Sequence, residues 1–284
     1  MRVLAAVKLA RPGVLLIAAD GPREDARCEE VRRQVLGGID WPCEVATRLL
    51  DEQQGCRGAV SSALDWAFGL HERVIILEDD CLPHPSFFAF CEAMLDRFQE
   101  APEVMQVCGS NLTGLRREGQ SYHFSRFGPI WGWASWRRAW QAYDVEMKSW
   151  DGMKNSAHLR QLCPEPFEAG WRREVLDAVS RGTVDTWDYQ WAYAKLLRGG
   201  LNIVPAVNLV SNIGFGAEAT HTLNAADPRA ALATQELAPP YQHADSINAW
   251  QAADQAYLRL VVGLPAKACS FAGLRRILRS LFKR

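Results

Sequence analysis

Between Gly13 and Asn111, short apolar runs alternate with helix-compatible stretches, and that alternation narrows the fold more than any other feature of the chain. "GVLLIAAD" (13–20), "CEVATRLL" (43–50), "RVIILED" (73–79) and "VMQVCGSN" (104–111) have the length and the Val/Ile/Leu content of buried strands. Between them lie "ARCEEVRRQVLGGI", "GAVSSALDWAFGL" (58–70) and "HPSFFAFCEAMLDRFQEA", each able to form a helix. The last carries Pro85 near its start, where a missing N–H is tolerated. This spacing predicts an α/β fold: a mostly parallel central sheet covered by helices on both faces. In such sheets ligands gather beyond the carboxyl ends of the strands. Asp20 and the triplet Glu78, Asp79 and Asp80 fall at two such ends.

The second half is less regular. It holds a Trp-rich segment, "GPIWGWASWRRAWQAYD" (128–144), a helix around 168–181, the stretch "VDTWDYQWAYAKLLRGG", and a strand "NIVPAVNLVSN". Beyond about residue 225, Ala, Pro and Gln dominate and the signals weaken. Residues 1–225 therefore read as one domain and 226–284 as a C-terminal extension. The extension ends in "FAGLRRILRSLFKR", with Phe271, Leu274, Ile277, Leu278, Leu281 and Phe282 on one helical stripe and the cations off it. Such a helix either packs with a solvated basic face or makes a peripheral contact with an anionic membrane surface.

A chain of 284 residues, 48% of them hydrophobic, can bury a substantial core. Its formal charge of −1 gives no reason to expect nucleic acid as a partner. The eight cysteines form no C-x-x-C pair and read as small buried apolar groups rather than a zinc site or a disulfide frame. No signal-like opening and no apolar run of roughly 20 residues is present, so the expected location is cytoplasmic, at most peripheral at the inner membrane face.

The acidic triplet calls for an explanation. Carboxylates crowded at a buried strand end repel one another and lose water, which favours protonation unless a cation is present. Two readings remain open: a solvated surface turn, or a bound metal. Oxygen ligands without nearby His or Cys suit Mg²⁺ or Mn²⁺, which keep waters and share phosphate oxygens with one or two carboxylates. A nucleotide diphosphate is the natural companion, with the metal acting as a Lewis acid on the leaving group.

A strand ending in E-D-D before a Pro-containing, Phe-rich helix resembles the metal motif of nucleotide-sugar glycosyltransferases of the A-type, Rossmann-like fold. The resemblance is strongest to the metal-dependent N-acetylglucosaminyltransferases and similar bacterial proteins. It runs in order over residues 3–222, through "LIAADGPREDARCEEV", "GCRGAVSSALDWAFG", "FGPIWGWASWRRAW", "TWDYQWAY" and "SNIGFGAEATHT". The strand with which that fold opens is missing from the order; "MRVLAAVKLARPG" corresponds to the helix after it.

The resemblance implies a glycosyltransferase that moves a hexosyl or N-acetylhexosaminyl group from a UDP-linked donor to a glycan or lipid-linked saccharide, with inversion. Asp80 would ligate the metal, Glu78 and Asp79 would hold ribose and nearby groups, Asp20 would meet the base and Arg57 the nucleotide. Asp188 would be the general base on the acceptor hydroxyl. A capping or surface role for Asp188 stays open, and Asp185 lies close by. His221 is either structural or a ligand to metal or diphosphate. Trp131 and Trp133 are either core residues or a sugar-stacking platform in a Gly- and Pro-shaped loop. The other class of reading is a non-catalytic nucleotide- or glycan-binding protein of the same fold, and a weaker third is a nucleotidyltransferase.

Overall fold

The alternation read between Gly13 and Cys108 is realised element by element. The computed structural model describes residues 1–22, 27–216 and 227–265; His221 and the stripe of 271–284 lie outside the described residues. Helix α1 (Arg2–Ala10) leads into β1 (Val14–Ala19), α2 (Arg27–Gly37), β2 (Glu44–Leu49), α3 (Gly55–Leu70), β3 (Arg73–Ile76), β4 (Cys81–Pro83), α4 (Ser86–Arg97) and β5 (Val104–Cys108). Then come β6 (Tyr122–Ser125), β7 (Trp133–Trp136) and the short helices α5 (Arg137–Trp140), α6 (Trp150–Met153) and α7 (Ala157–Leu162). Two longer helices, α8 (Glu168–Ser180) and α9 (Asp188–Arg198), precede β8 (Leu201–Pro205) and β9 (Val210–Asn212). Helix α10 (Gln251–Tyr257) runs into a π-helical turn, Leu258–Val262.

The chain is mixed α/β, but the central sheet is not mostly parallel. Its five strands run in the order β3-β7-β5-β8-β6, and among these neighbours only β5 and β8 are parallel. The difference comes from β6 and β7, which no pattern in the sequence announced. All four residues of each are buried, so both faces are covered and no two-residue alternation shows. Strand β7 inserts antiparallel between β3 and β5. Strands β1 and β2 form a separate parallel pair. Among the described residues, β1 pairs only with β2 and β3 only with β7, while α3 packs against both β1 and β3. The run "NIVPAVNLVSN" splits into two strands of different sheets, because β9 leaves the central sheet to pair with β4.

Three buried clusters hold these layers together. Phe87, Phe90 and Met94 of α4 pack on Val104 and Val107 of β5 and on Tyr122 and Phe124 of β6. Each large apolar side chain fully buried in this way contributes about 1.5–3 kcal/mol. Helices α8 and α9 enclose Trp150, Trp171, Val175, Leu176 and Tyr193. A tryptophan cluster of Trp133, Trp140, Trp187 and Trp191 joins α9 to β7 and α3. After the undescribed 217–226, the chain packs on the same cores. Leu237, Tyr241 and Ile247 meet the first cluster, and Leu258, Val262 and Leu264 the second. No helix among the described residues is long and apolar enough to cross a membrane.

Candidate functional site

A cleft of about 1190 Å³ opens where β3 ends, and the acidic triplet lines it. The local reason is the short pairing of β4 with β9, which puts Cys81 opposite Asn212. Ile213 N–H donates to the Asp80 carbonyl at 2.8 Å. Asn212 Nδ2 donates to Asp80 Oδ2 at 3.2 Å, and the Cys81 thiol reaches Oδ1 at 3.3 Å. Gly214 lies so close that a Cβ there would stand 2.3 Å from Asp80 Oδ2, so only glycine lets the loop approach. Burial pushes the Asp80 carboxyl up and Asp79 adds to it, while the bonds from Cys81 and Asn212 pull it back.

Glu78 is more strongly perturbed. Burial, followed by the charges of Asp80, Asp188 and Asp79, pushes its carboxyl up to about 8. Its Oε1 is enclosed and has no hydrogen-bond partner among the described residues. A carboxylate so placed either holds a proton or faces a cation. No group of three or more His, Cys, Asp or Glu among the described residues is arranged as a cage for a metal. Mg²⁺ and Mn²⁺ do not require one, because waters and substrate phosphates complete the shell around one or two carboxylates. Asp80 and Glu78 are oxygen donors of that kind.

Asp188 opens α9 and lines the same cleft. Thr186 donates its hydroxyl to Asp188 Oδ1. The neighbouring Trp187 and Trp191 are buried and anchor the start of the helix. Trp133 is also fully buried, stacked on Trp187 with centroids 5.6 Å apart. This corrects the platform reading for that residue: as part of β7 it is core, with no face open to a sugar. Trp131, two residues earlier, is half-buried, lines the cleft and meets Phe215 edge-on at 5.5 Å.

Asp20, Asp185 and Arg57 meet at the start of α3, though in other roles than the resemblance implied. A helix N-terminus leaves its first N–H groups without intrahelical partners and attracts negative charge. Asp20 accepts from Gln54 N–H at 2.7 Å and Gly55 N–H at 3.0 Å. Asp185 accepts from Cys56 N–H at 2.9 Å and Arg57 N–H at 3.0 Å. Two remote aspartates thus cap one helix between them. The Arg57 guanidinium turns to the Val145 carbonyl at 2.7 Å and to Glu146 at 2.9 Å. Neither Asp20 nor Arg57 lines the cleft, which departs from the expected base and nucleotide contacts. Asp185 does line it, but its two oxygens are already engaged.

No protein-family model and no curated protein matches this chain.

Basic residues also line the cleft, and sequence reasoning missed them. Lys195 of α9 is 3% exposed, and its Nζ donates to Gln106 Oε1 at 2.5 Å and Asn202 Oδ1 at 2.6 Å. Burial pushes this ammonium down to about 7. Gln106 also accepts from Trp191 Nε1 and donates to the Pro129 carbonyl, both of which tie the 125–131 loop to α9. Asn202 Nδ2 donates to the Ser125 carbonyl at 2.9 Å. Next to this network, Glu168 accepts both Nη groups of Arg126 at 3.1 Å and Nε of Arg172 at 3.0 Å. Asp254 takes Arg126 Nε at 2.9 Å and the Ser125 hydroxyl at 2.6 Å. One signal was available: Lys195 follows Asp188 by seven residues, two helical turns, and so shares its face with Asp188 and Trp191.

Proposed function

We propose that the chain is a metal-dependent glycosyltransferase, transferring a hexosyl or N-acetylhexosaminyl group from a UDP-linked donor to a saccharide acceptor. The acceptor is a glycan or lipid-linked sugar of a bacterial surface polymer. The observation that carries the reading is that the strand-end carboxylates and Asp188 line one cleft large enough for a nucleotide-sugar and an acceptor together. Asp80, with Glu78 beside it, would hold Mn²⁺ or Mg²⁺ against the donor diphosphate. Bound there, the metal would neutralise the leaving diphosphate. Asp188 accepts the proton of the attacking hydroxyl, and direct displacement inverts the anomeric centre. Trp131 offers its ring to the acceptor.

Two variants test this. Asp80→Ala should lose Mn²⁺-dependent binding of UDP by calorimetry. Asp188→Asn should keep that binding and lose transfer from a UDP-sugar to a saccharide panel. Undiminished transfer in either variant refutes the assignment. The engagement of Asp20 and Arg57 outside the cleft favours one competing reading, a binding protein without turnover. It predicts UDP and Mn²⁺ uptake with no transfer to any sugar by the wild-type chain.

A further inference from the structure

Arg126, Arg172 and Lys195 all line the cleft. The two arginines share two carboxylates, Glu168 and Asp254, and Lys195 has no ion-pair partner among the described residues. Glu168 is 0% exposed and saturated by the two arginines, and Asp254 is bound to Arg126 alone among them. Lys195 Nζ donates to two neutral amide oxygens and lies 5.4 Å from the centre of the Trp191 ring. Arg172 is 6% exposed yet lines the cleft, seated against the rings of Phe127 at 5.1 Å and Trp171 at 5.4 Å. Apart from Nε on Glu168, its guanidinium donors make no hydrogen bond among the described residues. Buried charge without a counterion is costly, and a planar guanidinium fork fits a carboxylate or phosphate in two-pronged fashion.

We propose that Arg172 with Lys195 forms a subsite for an anionic group, a carboxylate or phosphate, carried by the saccharide acceptor. The word acceptor rests on the glycosyltransferase reading; the anion site itself does not. The donor diphosphate is the other source of such a group, and the layout argues against it. Lys195 is bonded to Gln106 of β5 and Asn202 of β8, whereas the triplet follows β3, and β7 lies between β3 and β5 in the sheet. At about 4.8 Å per strand, the side chains that hold Lys195 stand two and three strands, roughly 10 and 14 Å, from the strand that leads into the triplet. Two turns of α9, about 10 Å along its axis, separate Asp188 from Lys195. A sugar whose hydroxyl meets Asp188 can place a charged substituent of its own, or of the adjoining ring, at the basic pair.

The test is calorimetric titration of the full chain with methyl β-D-glucuronide, glucose 6-phosphate and the neutral methyl β-D-glucoside, with and without UDP and Mn²⁺. At least one anionic sugar should bind tenfold or more tightly than the neutral one, as charge-assisted hydrogen bonds warrant. Arg172→Gln should erase that preference while leaving UDP and Mn²⁺ binding unchanged; Arg172→Lys should keep part of it. Glu168 stays paired with Arg126 in both variants, and the near-ultraviolet circular dichroism of the buried tryptophans reports whether each has folded. Equal binding of the three sugars overturns the proposal. A preference that vanishes when UDP and Mn²⁺ are bound also overturns it, since the subsite would then belong to the diphosphate. Preference without any UDP binding would instead defeat the donor reading and leave the anion subsite standing.

Discussion

Replacing Lys195 by methionine keeps an unbranched side chain, one atom shorter, and removes its charge. In the folded chain the ammonium is pushed from an ordinary 10.5 down to about 7 by burial. At about 1.4 kcal/mol per pH unit, that displacement corresponds to roughly 5 kcal/mol of destabilisation when the lysine is charged in both states. The direction follows from proton counting. Between pH 7 and 10.5 the unfolded chain holds more of this proton than the folded one, so stability rises with pH through that window. The penalty is complete below pH 7 and fades above it. Integrated from pH 7 to pH 9, wild type should gain roughly 2 kcal/mol relative to Lys195→Met. For a chain of this size that is a differential shift of about 4 °C in Tm. Asn202 Oδ1 loses a donor in the variant, at about 1–3 kcal/mol, but this displaces the whole curve without changing its slope. Above pH 9 the buried thiols, such as Cys108, act in the opposite direction in both proteins, so the comparison stops there. Thermal unfolding of both proteins from pH 6 to 9, in a buffer free of phosphate, measures the difference. Parallel curves would refute the argument, because the lysine would then bear no charge penalty from burial.

Two further substitutions probe the neighbourhood. Asp185→Asn weakens the acceptors for Cys56 and Arg57 N–H at the start of α3 and should cost about 1 kcal/mol, while transfer persists. If transfer is lost instead, the role of base moves from Asp188 to Asp185. Gly128→Ala puts a Cβ 2.3 Å from Asn202 Oδ1 and 2.9 Å from Gln106 Nε2, and overpacking of this kind should cost about 1–3 kcal/mol. A lowered Tm together with altered near-ultraviolet circular dichroism is expected, and an unchanged Tm would mean that the amide network does not hold the loop.

Local pattern carried much of this protein. Apolar runs and helix periodicity are properties of neighbouring residues, and they placed β1, β2, β3, β5 and helices α2, α3, α4 and α8 close to where they lie. The acidic triplet at a strand exit and Asp188 among tryptophans were equally visible, since each is a short contiguous signal. What was hidden depends on partners far away in the chain. Strands β6 and β7 are buried on both faces and leave no alternation to read, so the sheet's antiparallel order emerged only on folding. Asp20 and Asp185 were singled out for other reasons, and their role as caps of α3 was not legible, because the N–H groups they satisfy lie 34 to 129 residues away. The same holds for the basic residues of the cleft. Arg126, Arg172 and Lys195 come from three separate segments, and only packing strips them of water and fixes which carboxylates the arginines share and which amides hold the lysine. Sequence alone thus settled most strands and helices of the first hundred residues and where negative charge collects. Tertiary structure decided which of those charges meet a partner, because burial and long-range pairing are set by the fold as a whole.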